Sequence, residues 1–387
     1  MTRRERLMAT FEGRRVDRPP VSFYEIGGFT VFPYDPDTYN IYNSPSWQPL
    51  LKLAEDRTDI IRMVSPVRAQ SHLSWAGSDT GSIRSQFVKE KVWEEGNSRF
   101  TRLTYKVGNK ELSSISRRDK EIDTVWITEP LLKNTEDVNL FLKLPDEIFE
   151  ETISIDHLKE EETKLADKGI IMVDTEDPVC AVASLFNLET FTIFAMTEQN
   201  LCHKLLEKHA RYIHNRTEKV AMEFPGRLWR IYGPEYITEP FLPPHLFNEY
   251  VVRYTGPMVK MIKDHNGFVR IHSHGCIRNV LDYIVNMGAD AIDPVEPPPH
   301  GDVELRYLRR KYGRQLVFFG NIEISDIENM PEKMFREIVK KTIADGISGE
   351  GRGFVLMPSA SPYGRNISEL TLRNYQIMIE EVELVNE

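Results

Sequence analysis

Five consecutive residues, His272-Ser273-His274-Gly275-Cys276, hold the densest chemistry in the chain. Along an extended strand alternate side chains share a face, so His272, His274 and Cys276 can point the same way. Two imidazoles and a thiolate are ligands that Zn²⁺ prefers, and a catalytic zinc takes about three protein ligands plus an open position. The spacing equally suits one histidine packed into a core, with Cys276 opening the next helix. H-x-H alone does not separate the two readings.

Other proton-handling groups follow apolar, β-branched runs: Glu25, Asp174 and Glu176, Glu235, Asp293 and Glu296, Asn321 and Glu323. Asp293 and Glu296 lie in a proline-rich turn that fixes their direction. Glu235, between Pro234 and Tyr236, suits a metal ligand, a general base or a partner orienting an imidazole, and equally a plain acceptor orienting a loop. Residues 349–353 look like a phosphate loop but lack its Lys-Ser/Thr and precede their strand. G-x-S-x-G and H-E-x-x-H are absent, which removes common hydrolase and metalloprotease chemistries.

These groups need a scaffold that brings strand ends together. Eight short runs read as strands: residues 20–24, 59–64, 169–173, 227–232, 267–271, 289–292, 315–319 and 353–357. Helical stretches separate them, several ending in glycine (Gly267, Gly288, Gly313). Such alternation implies a parallel sheet under helices, and eight strands close a (β/α)₈ TIM barrel, an α/β fold whose C-terminal strand ends share one mouth. No G-x-G-x-x-G follows the first strand, which disfavours an open doubly wound sheet. Residues 1–387 read as a single barrel domain. Between the second and third strands lies an insertion of about residues 65–165, with antiparallel strands around Val88, Trp93 and Phe100 and turns at Gly96-Asn97 and Gly108-Asn109.

Bulk properties exclude several classes. A net charge of −10 opposes general nucleic-acid binding. No apolar run approaches the roughly 18–20 residues that span a bilayer, and the charged N-terminus lacks a signal peptide's apolar core. Three cysteines are too few for a disulfide framework, and Cys180 and Cys202 read as small buried hydrophobes. The expectation is a cytoplasmic protein without membrane or nucleic-acid partners.

The opening Thr2-Arg3-Arg4-Glu5-Arg6 with residues 13–20, His272-Ser273-His274-Gly275, residues 288–296 and Phe319-Gly320-Asn321-Ile322 together resemble the uroporphyrinogen decarboxylase superfamily across nearly the whole chain. The resemblance implies the same barrel and one of two activities. One branch decarboxylates uroporphyrinogen without a cofactor, and its Arg-Gln-Ala-Gly-Arg loop holds substrate carboxylates. Here Tyr24-Glu25-Ile26-Gly27-Gly28 stands at that loop, with no arginine and an added negative charge, which is unfavourable for a polycarboxylate. The other branch transfers methyl groups to or from a corrinoid protein, usually with zinc held by His-x-Cys and a late Cys. His272 matches the first of these ligands and His274 replaces the first Cys. The late Cys falls within residues 357–361, where no thiolate exists, so a third ligand comes from Glu235 or Cys276, or the site works without metal.

The resemblance therefore implies a corrinoid-linked methyltransferase, with a decarboxylase of a porphyrinogen or smaller acid and a non-catalytic binding barrel as alternatives. Expected catalytic residues are Glu235, His272, His274 and Asp293. Expected substrate contacts are Tyr24, Glu25, Asp174, Glu176, Asn321 and Ser359, and the expected zinc ligands are His272, His274 and Cys276. Expected partners are a small-molecule substrate, a corrinoid protein carrying its cobalt cofactor, and a second copy in a homodimer.

Overall fold

The computed structural model describes residues 1–29, 36–67 and 83–386. Its strands are β1 (Ile60–Val64), β2 (Val88–Glu95), β3 (Ser98–Val107), β4 (Lys110–Asp119), β5 (Val125–Glu129), β6 (Gly169–Glu176), β7 (Leu228–Tyr232), β8 (Phe268–His272), β9 (Ala291–Asp293), β10 (Val317–Ile322) and β11 (Phe354–Pro358). Seven of them form a sheet in the order β1-β6-β7-β8-β9-β10-β11, with every pairing parallel.

These seven strands are buried on both faces, and their alternate residues divide between two separate apolar clusters. Ile61, Met63, Met172, Leu228, Val317, Phe319, Val355 and Met357 pack with Leu7, Phe11 and Tyr24. The residues between them, such as Ile60, Ile171, Trp229, Ile271, Phe318 and Leu356, belong to the larger cluster that runs under the helices. A flat sheet would leave its inner residues spread over one plane. Here the inner side chains of β1, β6, β7, β10 and β11 meet each other, so the sheet is curled. The N-terminal helix Arg3–Phe11 plugs the end from which the strands start, with Phe11 against Phe268 and Phe319 at ring-centroid distances of 5.6 and 5.8 Å.

Residues 20–24, expected as the first strand, form a single bridge, Val21 to Leu356, in place of a strand. Ser22 N–H donates to Leu356 O at 3.0 Å, Leu356 N–H to Pro20 O at 2.9 Å, and on the other side Asp59 N–H donates to Val21 O at 2.7 Å. The ladder stops there because Pro20 has no N–H to give and Tyr24 turns away at φ 58°. Fully buried Asp59 fastens the segment, accepting from Arg6, Arg18 and the Val21 N–H at 2.6, 2.7 and 2.9 Å.

The antiparallel strands expected before β6 form a four-stranded sheet, β2-β3-β4-β5. Turns at Gly96 (φ 59°) and Gly108 (φ 64°) join the first three strands, and Trp93 stacks on Phe100 across the first pair at 5.3 Å. Residues 68–82, part of the expected insertion, lie outside the described residues. Among the described residues no helix is long and apolar enough to cross a membrane.

Candidate active site

Strand register sets the site. Asp174 on β6 pairs with Arg230 on β7, and Arg230 with Arg270 on β8. Two residues further on, Glu176, Tyr232, His272 and Asp293 form the next level. Because strand side chains repeat every two residues, Arg270 and His272 share a face.

Asp293 is fully buried and takes two partners. Arg270, 1 % exposed, donates from Nε to Oδ1 at 2.6 Å and from Nη2 to Oδ2. His272 Nδ1 lies 2.7 Å from the same Oδ2. Burial alone would raise the pKa of Asp293, but the charge of Arg270 and the hydrogen bonds from Arg270 and His272 outweigh it and hold the carboxyl far below its usual range. An ionised carboxylate only accepts, so Nδ1 of His272 carries the hydrogen and Nε2 presents a lone pair. Burial pushes the His272 pKa down to about 4 against the pull of Asp293. His272 is therefore neutral near pH 7.

His274 stands perpendicular to His272 at 4.7 Å between ring centroids, with the opposite electrostatics. Its Nδ1 lies 2.8 Å from Glu296 Oε1, while Glu296 Oε2 accepts the Gly275 N–H at 2.6 Å. Burial opposes its charge, but Glu296, Glu235 and Asp293 win and raise its pKa. Glu235 is itself pushed up by burial, with the Gly233 N–H at 3.2 Å and the charge of His274 pulling the other way. Two neighbouring imidazoles whose surroundings drive their pKa values apart are an acid–base arrangement.

Tyr24 forms the adjoining wall. Its ring lies nearly parallel to His272 at 6.0 Å, and its hydroxyl accepts from Nη1 of Arg230. Arg230, itself buried, donates from Nε to Asp174 Oδ1 at 2.6 Å. Among the described residues, both arginines on the inner face are thus matched by a carboxylate.

The remaining expected residues divide. Glu25 is half-buried, and burial raises its pKa against the pull of Arg230. Glu176 is drawn to the helix Gln199–Glu223, where Arg216 Nη2 donates to it at 2.8 Å and holds its pKa low despite burial. Asn321 is buried within β10, beside Met357 in register. Ser359 donates to Glu323 Oε2 at 3.0 Å and accepts the Ile324 N–H at 3.2 Å, so it holds Glu323 in place. Cys276 is half-buried, and its backbone bridges to Glu239. Among the described residues no group of three or more His, Cys, Asp or Glu side chains is arranged to hold a metal ion. His272, His274 and Cys276 accordingly do not form such a group.

Sequence reasoning missed the two arginines. The available signal was a cation at the middle of two apolar strands, Leu228-Trp229-Arg230-Ile231 and Phe268-Val269-Arg270-Ile271. A charge in such a run must find a buried partner. Asp177 was also passed over. Burial pushes its pKa up to about 8, and it accepts from the Cys180 N–H at 2.7 Å and the Thr255 hydroxyl at 2.9 Å as the N-cap of the helix Pro178–Ala183.

The family model for uroporphyrinogen decarboxylase (URO-D) matches residues 118–382, which include every strand from β6 to β11 and both histidines. The chain belongs to the uroporphyrinogen decarboxylase family. A solved methyltransferase from Methanosarcina mazei superposes on this family member over 100% of both chains, with a TM-score of 0.58 at 13% sequence identity, a likeness of fold. No curated protein matches the chain by sequence. The URO-D match agrees with the resemblance read from the histidine stretch and residues 288–296.

Proposed function

We propose that this family member is a methyltransferase, moving a methyl group between a small molecule and a corrinoid carried by a separate protein. In this reading residues 20–22 complete a closed (β/α)₈ barrel, and the groups around His272 and His274 line its mouth. The observation that carries the reading is that, among the described residues, both inner-face arginines are already matched, Arg230 by Asp174 and Arg270 by Asp293. Decarboxylation of a polycarboxylate, the chemistry that gives the family its name, needs cations free to hold the substrate. This mouth offers carboxylates instead.

The histidines suit methyl transfer. Neutral His272 accepts a hydrogen bond at Nε2 from a thiol or hydroxyl acceptor, with Asp293 fixing its ring. His274, whose side chain is 39% exposed and whose pKa is raised, exchanges a proton with the substrate heteroatom that loses or gains the methyl group. Glu235, close enough to feel the charge of His274, returns the proton. A docked corrinoid would supply the cobalt that takes the methyl group from a donor or, when already methylated, gives it to the acceptor.

The test is anaerobic incubation with methylcobalamin and a small thiol, followed by loss of methylcobalamin absorbance, beside a parallel assay on uroporphyrinogen. Methylcobalamin should be consumed, His274→Gln should slow its loss by about 10²-fold, and uroporphyrinogen should persist. Turnover of uroporphyrinogen with methylcobalamin untouched would overturn the proposal.

A further inference from the structure

Beside the histidines, the residue just past β10 leaves a polar atom unused. Glu323 is 8% exposed, and its Oε1 has no hydrogen-bond partner, while Oε2 is held by Ser359. Ser361 is 4% exposed, and its hydroxyl lies beside the Glu25 carboxylate, whose ionised form it favours. Buried polar atoms are almost always satisfied, so an orphaned carboxylate oxygen at the end of a curled sheet marks a place for a ligand's polar group.

The sign of that group follows from the surrounding charges. Tyr363, half exposed, sits in the field of Glu25, Glu296, Glu328 and Glu323, which add to burial in raising the pKa of its hydroxyl. Burial and the charge of Glu296 likewise raise Glu323, opposed by the Ser359 hydroxyl and the His300 ring. Of these carboxylates, Glu296 is matched by His274, and Glu25 feels Arg230, whose hydrogen bonds go to Asp174 and Tyr24. A second anion would be repelled here, and a neutral group would leave the carboxylates uncompensated. A cation with an apolar shell would satisfy them and could rest on the Tyr363 ring.

We propose that the small molecule bound at this mouth carries an alkylammonium group, received between Glu323, Glu25 and Tyr363 with the Ser361 hydroxyl beside it. Its role as the methyl donor or acceptor rests on the methyl-transfer reading; its binding does not.

The test is calorimetric titration of the purified full chain, without corrinoid, using choline and its uncharged carbon isostere dimethylbutanol. Choline should bind at least about tenfold more tightly. Glu323→Gln should remove most of that preference and leave dimethylbutanol binding unchanged, which also reports an intact fold; Ser361→Ala should weaken choline by a smaller factor. Equal affinities, no saturable choline binding, or displacement of choline by stoichiometric Mg²⁺ or Ca²⁺ would overturn the proposal. Choline binding with no methylcobalamin turnover would sink the methyl-transfer reading alone. Turnover without choline preference would sink this one alone.

Discussion

Asp293 Oδ2 lies 2.7 Å from His272 Nδ1 while the same carboxylate takes both ends of the Arg270 guanidinium, so one buried anion fixes an imidazole and neutralises a cation. Removing one member of such a set leaves an uncompensated charge, which costs more than the pair contributes. Asp293→Asn should lower stability by about 3–5 kcal/mol in urea unfolding. Pairing it with Arg270→Met should recover most of the loss, because the stranded charge is gone. A double variant as unstable as the single one would show that Asp293 acts through something other than the guanidinium.

The two histidines should titrate apart. His272 has a folded pKa of about 4, below the ordinary imidazole value of about 6.5. Between those values the unfolded chain binds more protons, so stability falls with falling pH, beginning near pH 6.5 and complete near pH 4. Over that window the wild type should lose up to about 3 kcal/mol relative to His272→Gln. His274 has the opposite sign. Its raised pKa gives stability fully present below about pH 6.5 and lost as pH rises through the folded value. Imidazole resonances of the folded protein should show His274 charging first as pH falls, and the reverse order would break the assignment.

Much of the scaffold was legible because apolar runs and glycine stops report burial directly. Seven of the eight expected strands stand within about two residues at their starts, and Gly288 ends its helix in a left-handed turn at φ 95°. The first strand was overread because Val21, Phe23 and Tyr24 are β-like by type, yet Pro20 before them has no donor and Tyr24 turns aside. The strand ends were underread: Asp174, Glu176 and Asn321 lie inside β6 and β10, since polar residues facing an enclosed mouth need not mark a loop. His272, His274 and their carboxylates were visible as a pattern. Their opposite charge states were not, because burial and the Arg270–Asp293 pair arise only from register between strands far apart in sequence.

Metal content separates two descriptions of the histidine stretch. With Cys276 not gathered with His272 and His274, purified protein should hold well under one equivalent of zinc after dialysis. Methylcobalamin consumption should be unaffected by chelator. Stoichiometric zinc that disappears in both His272→Ala and His274→Ala would refute the metal-free site.

Gly233 ties the fold to the acid–base pair. It sits at φ 122°, and a Cβ there would stand 2.3 Å from Cys180 Cβ and 2.5 Å from Asp177 Oδ1, with no room to shift. Its N–H also donates to Glu235 at 3.2 Å. Gly226 has φ 74° and open space around the same position. Gly226→Ala should therefore cost only the backbone term, about 1 kcal/mol. Gly233→Ala should add steric overlap for a total of roughly 3 kcal/mol or more, and it should slow methylcobalamin consumption by moving Glu235 away from His274. Equal losses in denaturant titration would show that backbone conformation, and not packing against Asp177 and Cys180, reserves this position for glycine.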